Sequence, residues 1–483
     1  MNHFEQTYKQ VYKQKQFFGI DKKLPSNPLL NKTKRSNSVA VCGGAFGDEG
    51  KGRVTDELTA DFLKNHKKVI HYRDNGGANA GHTVVINGQK LALHQIGSGI
   101  TQKGCVVILG QEMVIHPDDL LAEIQSIKNY AQTKNLPAQL LIDEMTFLCL
   151  DTHRAFEAVL KNRFSKYKAA TGRGISPAYA DVIFRQAMRM RDLAARNWQA
   201  KFRAHYRLYQ DWVKGLGCDL AKVEVPRMNG TLLKAGTIDT FIKRLAKARK
   251  ILKIYITSVH DTIDQGWQNN TPMVFEKAQG LGLDKRWGVY PDVSVSDCSF
   301  GGILSSTQGI IDPTQLAVKT ATIKATYTST VGSRVLPSKM NEKLAHRIRE
   351  DANEYGTTTK RPRGIVHIDL PMLAYFAKVG YVDYLTLTHL DIAYPEIPIK
   401  VCVAYRQNGK EVSYRPDQIF LDTVKPVYVE VPTWDGAKLA DTTKIKDLPK
   451  EALAYIAFIM LSLEVKPFMV TTGPGRDQTI RWF

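Results

Sequence analysis

Short apolar runs recur along the chain between stretches of helical periodicity, and this alternation limits the possible folds more than any other feature. Ser38–Cys42, Val69-Ile70, Val106–Ile108, Leu140–Ile142, Met273–Phe275, Tyr384–Leu387, Val401–Ala404 and Phe468–Val470 each read as a buried strand, because runs apolar on both faces suit a parallel sheet covered on both sides. Helical patterns intervene: Leu120, Leu121, Ile124 and Ile127 follow Pro117-Asp118, and Ala452, Ile456 and Met460 follow Leu448-Pro449. No repeat or low-complexity linker divides the region. The expectation is an α/β fold over residues 38–483, with a large, mostly parallel central sheet flanked by helices. No run reaches the ~18 apolar residues of a membrane-spanning helix.

Residues 1–37 differ from this body. They hold seven lysines and one arginine against Glu5 and Asp21, with recurring aromatics at Phe4, Tyr8, Tyr12, Phe17 and Phe18. The preferred reading is a loosely ordered basic extension; the alternatives are a short amphipathic helix that docks on the body, or a targeting segment. Lysine outweighs arginine, which fits a mitochondrial transit peptide poorly. The six cysteines are scattered without a CxxC pair, the pattern of reduced thiols in a cytoplasmic enzyme rather than of a disulfide or zinc framework.

The chain carries 67 basic against 47 acidic side chains, a net charge of +20, so its partners are expected to be anionic. Residues 181–214 form a long helix-prone stretch that interleaves arginines and lysines with aromatics. Such a stretch could bind nucleic acid. With no recognised nucleic-acid module around it, a solvated basic face over packed aromatics is the preferred reading.

The first strand runs directly into Gly43-Gly44-Ala45-Phe46-Gly47-Asp48-Glu49-Gly50-Lys51-Gly52-Arg53. Glycines at a strand-to-helix turn bring backbone N–H groups close to phosphate, and the helix N-terminus adds partial positive charge. The turn is P-loop-like without being a true Walker A motif: Ala45 stands at the first glycine position and Gly52 replaces the Ser/Thr that holds magnesium. Asp48 is the odd member. A carboxylate in an anion-binding loop repels phosphate unless it binds a metal or takes a proton from substrate.

A second polar loop, Asp74–Thr83, combines three glycines, two asparagines and His82. Two further segments add weaker signals. Thr171 to Tyr179 offers a hydroxyl and a guanidinium for phosphate, and Glu276 to Gly280 offers an amide able to read a base edge.

These residues resemble the adenylosuccinate synthetase family. GDEGKG at Gly47–Gly52 and NAGHT at Asn79–Thr83 match its most specific signatures. TGRGISPAY, EKAQG, Thr357-Thr358-Thr359 with Arg361-Pro362-Arg363, THLD at Thr388–Asp391, VCVAY and TGPGR at Thr472–Arg476 follow in family order. The resemblance covers about residues 38–483. It implies GTP-dependent ligation of IMP and L-aspartate to adenylosuccinate through 6-phosphoryl-IMP, with one Mg²⁺ per active site, held by Asp48 and the carbonyl of Gly81.

By the same resemblance the catalytic residues are Asp48, Lys51, His82 and Gln279: Asp48 takes the N1 proton of IMP and His82 is a general acid. IMP is bound by Asp48, Glu49, Gly50, Lys51, Asn79, Ala80, Gly81, His82, Thr171, Gln279, Ser294 and Arg361. Arg185 reaches the partner's IMP across a homodimer interface. Thr357, Thr358, Thr359, Lys360, Arg361, Pro362 and Arg363 form the aspartate loop. GTP is met by Gly47 to Arg53, Gly81, His82, Thr83, Arg363, His389, Leu390, Asp391, Thr471, Thr472 and Gly473, with Asp391 reading the guanine donors.

Four positions depart from the family pattern: His389 replaces a lysine, Lys360 a glycine, Ser294 a threonine (keeping the hydroxyl) and Thr330 an arginine. Two alternative functions remain. One is a ligase joining aspartate to another purine nucleotide such as dGMP, and Asp48 argues against it because the phage enzymes of that type lack this aspartate. The other is a non-catalytic nucleotide- or nucleic-acid-binding homologue, opposed by the intact set of Asp48, Lys51, His82 and Arg361.

Overall fold

The computed structural model describes residues 2–17, 19–30, 33–86, 89–164, 171–330, 332, 334–356 and 362–483. Its centre is a ten-stranded sheet. In chain order the strands are β1 (Arg35–Gly43), β2 (Val69–Arg73), β3 (Cys105–Leu109), β4 (Gln139–Asp143), β5 (Ile256–Thr257), β6 (Met273–Glu276), β7 (Leu316–Lys324), β8 (Tyr384–Thr388), β9 (Lys466–Thr471) and β10 (Thr479–Arg481). Across the sheet they run β5-β4-β3-β2-β6-β1-β7-β8-β9-β10. Every neighbouring pair is parallel except β9 with the edge strand β10.

The apolar runs are continuous because both faces of the sheet are covered. Val39 and Val41 of β1 pack with Val54, Leu58 and Phe62 of helix Lys51–Asn65. The alternate residues Ala40 and Cys42 enter the opposite core with Phe275, Ile323 and Leu387. Side chains two apart on a strand share a face, so a strand with helices above and below has no polar side to show.

Three sequence expectations are corrected. Val401–Ala404 is a strand, within Ile399–Gln407, but it belongs to a separate sheet, paired antiparallel with Lys425–Val431 and Lys410–Val412. The central strand β7 is passed over in the sequence because it opens on only Leu316–Val318 and continues with lysines and threonines. It reads LAVKTATIK and is buried throughout, its polar side chains finding partners instead: Thr320 with Thr386 at 3.0 Å and Lys319 with Asp383 at 3.5 Å. Finally, residues 181–214 are not one helix. They divide into the end of Ile175–Ile183, the short Met190–Ala194 and the long Trp198–Gly215. In the last, Trp198, Phe202, Tyr206 and Tyr209 are buried, so the aromatics pack and the basic residues largely face solvent.

The N-terminal segment carries helix His3–Tyr8, which continues as a wider turn through Lys13. Asn2 and Glu5 form a reciprocal capping box, and the Asn2 amide also donates to the Val403 carbonyl at 3.0 Å. The rings of Tyr8 and Tyr12 meet Phe458 of helix Lys450–Ser462 edge-on, with centroids 5.9 and 5.8 Å apart. Val11 is 1% exposed. Among the described residues no helix is long and apolar enough to cross a membrane.

All the loops that carry the sequence-predicted motifs except the 171–185 segment and the aspartate loop leave the C-terminal ends of neighbouring parallel strands. They follow β2, β6, β1, β8 and β9, with only β7 intervening. Open α/β sheets place ligands at that edge.

Because Phe458 meets two rings of the N-terminal segment, Tyr8 and Tyr12, Phe458→Ala should lower stability by about 3–5 kcal/mol. It should also open residues 2–17 to protease. Thermal melting and a timed proteolytic digest check the two parts.

Candidate active site

The loop after β1 is shaped by its own carboxylate. Glu49, 3% exposed, accepts hydrogen bonds from the N–H groups of Gly47 at 2.7 Å and Ala45 at 3.2 Å, and pairs with Lys51 Nζ at 3.0 Å. Its side chain therefore faces into the turn, while Gly50, Lys51, Gly52 and Arg53 line a cavity of about 690 Å³. Gly50 begins the helix at φ +84°, a conformation open to glycine at little strain. Gly52 is required for another reason: a Cβ there would lie 2.8 Å from that of His82. The first turn of the helix thus rests directly on the second motif.

His82 is 6% exposed, and its Nδ1 is bonded to Oε1 of Glu276. Burial lowers the imidazole pKa, partly offset by that carboxylate. Glu276, at the end of β6, is fully buried. Its Oε2 accepts from His71 Nε2 at 2.7 Å, Ser98 N at 2.9 Å, Ser98 Oγ at 2.8 Å and Thr55 Oγ1 at 3.0 Å. Burial alone would raise its pKa, but His82 and His71 together hold it well below the usual carboxylate range. Sequence reading passed over Glu276 as a functional residue. Its only signal was a carboxylate directly after an apolar strand.

Asp48 occupies the left-handed region at φ +59°, and its carboxylate is 31% exposed in the same cavity. Arg363 Nη2 lies 2.7 Å from Oδ2, the only ion pair to Asp48 among the described residues. Hard oxygen donors suit magnesium, and the cavity offers this carboxylate together with Gly81. The residues present therefore fit such an ion.

At the far end, Asp391 and Gly473 line both this cavity and an adjoining one of about 410 Å³ that includes Thr472. Burial raises the Asp391 pKa. The Thr388–Asp391 turn is held by Thr388 Oγ1 donating to the Glu49 carbonyl at 2.9 Å and by His389 and Leu390 donating their N–H groups to Thr471. Arg53 is committed elsewhere. It donates to the carbonyls of Pro474 and Gln478 and to Thr479 Oγ1, tying the helix to the TGPGR loop.

A second polar cluster adjoins the loop after β1. Asn75 links Ala278 and Ser296, Ser296 Oγ donates to Gln279 Oε1 at 3.1 Å, and Ser294 Oγ lies 3.0 Å from Ser296 Oγ. Gln279 Nε2 is buried with no hydrogen-bond partner among the described residues, a donor left open for a ligand. The Asn79 side chain accepts from Gly77 N. Asn75 and Ser296 were also missed from sequence.

Thr171 is exposed at the start of its loop. Arg185, at φ +61°, stands on the surface beside Ile183 and Phe184, which are 80% and 64% exposed, and is not among the residues lining the cavity. Thr83 lies on strand His82–Ile86. Thr357, Thr358, Thr359, Lys360 and Arg361 lie outside the described residues.

His389 gives a pH-dependent expectation. Burial and the nearby Lys324 lower its pKa from 6.5 to about 4. Between these values the unfolded chain binds the proton that the folded one refuses, so stability is complete above about pH 6.5 and falls as pH drops toward 4. His389→Gln should flatten that decline by a few degrees of melting temperature. Melting curves from pH 7 to pH 4.5 measure it.

Comparison with known proteins agrees with this geometry. The adenylosuccinate synthetase family model matches residues 40–480. The chain is 32% identical over 448 residues to the adenylosuccinate synthetase of Hahella chejuensis, covering 92% of this chain and 98% of that one. It is 33% identical over 455 residues to that of Bdellovibrio bacteriovorus, with the same coverage. The fully ligated adenylosuccinate synthetase from Plasmodium falciparum superposes with a TM-score of 0.79 at 27% identity, over 92% of this chain and all of that one. A cyanophage succinoaminodeoxyadenylate synthetase bound to dGMP and dATP shares the fold alone, at 18% identity and a TM-score of 0.54 over 92% of this chain and 94% of that one. With a P-loop-like turn, a buried His–Glu pair and an aspartate facing an arginine at the C-terminal edge of the sheet, the chain belongs to the adenylosuccinate synthetase family of ligases.

Proposed function

We propose that the chain joins IMP and L-aspartate, with GTP as phosphoryl donor, through 6-phosphoryl-IMP. The observation that carries this reading is the meeting of Asp48, Lys51, His82 and Arg363 around one cavity, which explains a carboxylate in an anion-binding loop. Hypoxanthine O6 is a poor nucleophile. Asp48 takes the N1 proton, and O6 then attacks the γ-phosphate, releasing GDP. The amine of aspartate adds at C6 and phosphate departs.

His82 serves as the acid toward the phosphates. Glu276 occupies its Nδ1, so the proton is donated from Nε2. Lys51 and the first-turn N–H groups of helix Lys51–Asn65 hold phosphate oxygens. Magnesium, when bound at Asp48 and the Gly81 carbonyl, neutralises charge on the transferring phosphoryl group. Arg363, with Arg361 from the same loop, grips the carboxylates of aspartate. Asp391 accepts from the guanine N1 and N2 donors, and Thr471, Thr472 and Gly473 complete that pocket.

IMP occupies the cluster of Asn79, Gln279 and Ser294 together with Thr171. The exposed apolar pair Ile183 and Phe184 beside Arg185 supports a homodimer, in which Arg185 of one protomer reaches the IMP phosphate of the other. The cytoplasm fits six cysteines that are all unpaired, five of them buried and Cys218 exposed.

Mixing the protein with IMP, L-aspartate, GTP and Mg²⁺ should produce adenylosuccinate, followed by its absorbance. Turnover with dGMP and none with IMP would overturn the reading. Asp48→Asn should reduce kcat by roughly 10²–10⁴-fold, the worth of a positioned base, and His82→Asn by a similar factor, both with unchanged circular dichroism. Glu276→Gln should lower kcat more than it raises KM for GTP, since it disturbs the acid rather than the nucleotide contacts.

A further inference from the structure

Glu354 has no role in the scheme above, yet it joins the residues that scheme uses. It follows helix Glu342–Asp351, at the near side of the aspartate loop. Its carbonyl accepts from the Arg363 N–H at 3.0 Å, so the two flanks of the loop meet at this residue. Its side chain is 1% exposed. Oε2 accepts from Arg363 Nη1 at 2.7 Å, and the other terminal nitrogen of the same guanidinium reaches Asp48. Oε1 accepts from Lys324 Nζ and from Tyr327 OH at 2.6 Å.

The tyrosine has a single proton and gives it to Glu354. Toward His389 Nδ1, 3.1 Å away, it can therefore only accept. The imidazole then carries its proton on Nδ1 and presents Nε2 as an acceptor. One buried carboxylate thus sets the guanidinium that faces both Asp48 and the aspartate site, and sets the hydrogen-bonding form of the imidazole two residues before Asp391.

A counter-ion for Lys324 alone would not need this arrangement. Arg363 is 9% and Lys324 2% exposed. Without the carboxylate between them the two cations would repel in a poorly screened interior, and the guanidinium is the one with open cavity to move into.

We infer that Glu354 is a positioning residue of the ligation: it aims Arg363 at the carboxylate of L-aspartate and, through Tyr327, holds His389 as an acceptor beside the guanine pocket. The inference rests on the function proposed above.

The test uses the full chain and varies each substrate in turn. Glu354→Gln keeps the shape and removes the charge. The double variant Lys324→Met/Glu354→Gln removes a buried charge and its partner together, and so carries the test if the single variant folds poorly. Either should raise KM for L-aspartate roughly 10-fold or more, the loss of one charge-assisted hydrogen bond, and leave KM for IMP within about twofold. Tyr327→Phe should raise KM for GTP and leave that for L-aspartate unchanged.

Rates are normalised to the folded fraction from circular dichroism. An unchanged KM for L-aspartate in the variants, or a loss that disappears on that normalisation, overturns the inference. Wild-type protein that makes no adenylosuccinate overturns the ligation reading instead, so the two failures are distinct.

Discussion

The active site depends on one buried carboxylate at the end of a central strand. Glu276 is enclosed completely, and an ionised carboxylate in such a place destabilises a fold unless its oxygens are satisfied. Here they accept from His82, His71, Ser98 and Thr55. Those residues come from the loop after β2, from β2 itself, from the turn before β3 and from helix Lys51–Asn65. The carboxylate therefore fastens the sheet, the helix and the catalytic loop at one point. Displacing any of them would strand a charge, which makes the arrangement rigid where the chemistry needs a fixed histidine.

Some of the backbone strain falls in the same region. Asp48, Gln279 and His389 all adopt left-handed φ values near +58°, uncommon for residues with side chains. Each is the residue at which a chain leaving the sheet turns its side chain toward the cleft. Strain at these positions is borne by a frame of parallel strands with helices on both sides, and by hydrogen bonds such as Thr388 to the Glu49 carbonyl.

The basic excess looks different once side chains are placed. Arg53 is spent on carbonyls of the TGPGR loop and Arg476 on Asp56, while Lys51 gives one of its three donors to Glu49. Several cations near the cleft thus hold its walls together, and Arg363 faces Asp48 directly. The basic residues of helix Trp198–Gly215 lie on the outer side of an aromatic seam.

What the sequence determined by itself was local. Unbroken apolar runs dictate buried strands, glycines before a helix dictate a phosphate-type turn, and an aspartate within that turn demands a proton or a metal to justify it. These features need only neighbours in the chain. Strand β7 escaped because its threonines and lysines become acceptable only beside Thr386 and Asp383, which other parts of the chain supply. Glu276 and Glu354 escaped for the same reason. An isolated glutamate in a sequence is an ordinary surface residue, and its worth appears only when Thr55, His71 and His82, or Lys324, Tyr327 and Arg363, converge on it from distant segments. Tertiary structure decided those sites because burial turns a charge from an inexpensive surface group into one that must find every one of its partners.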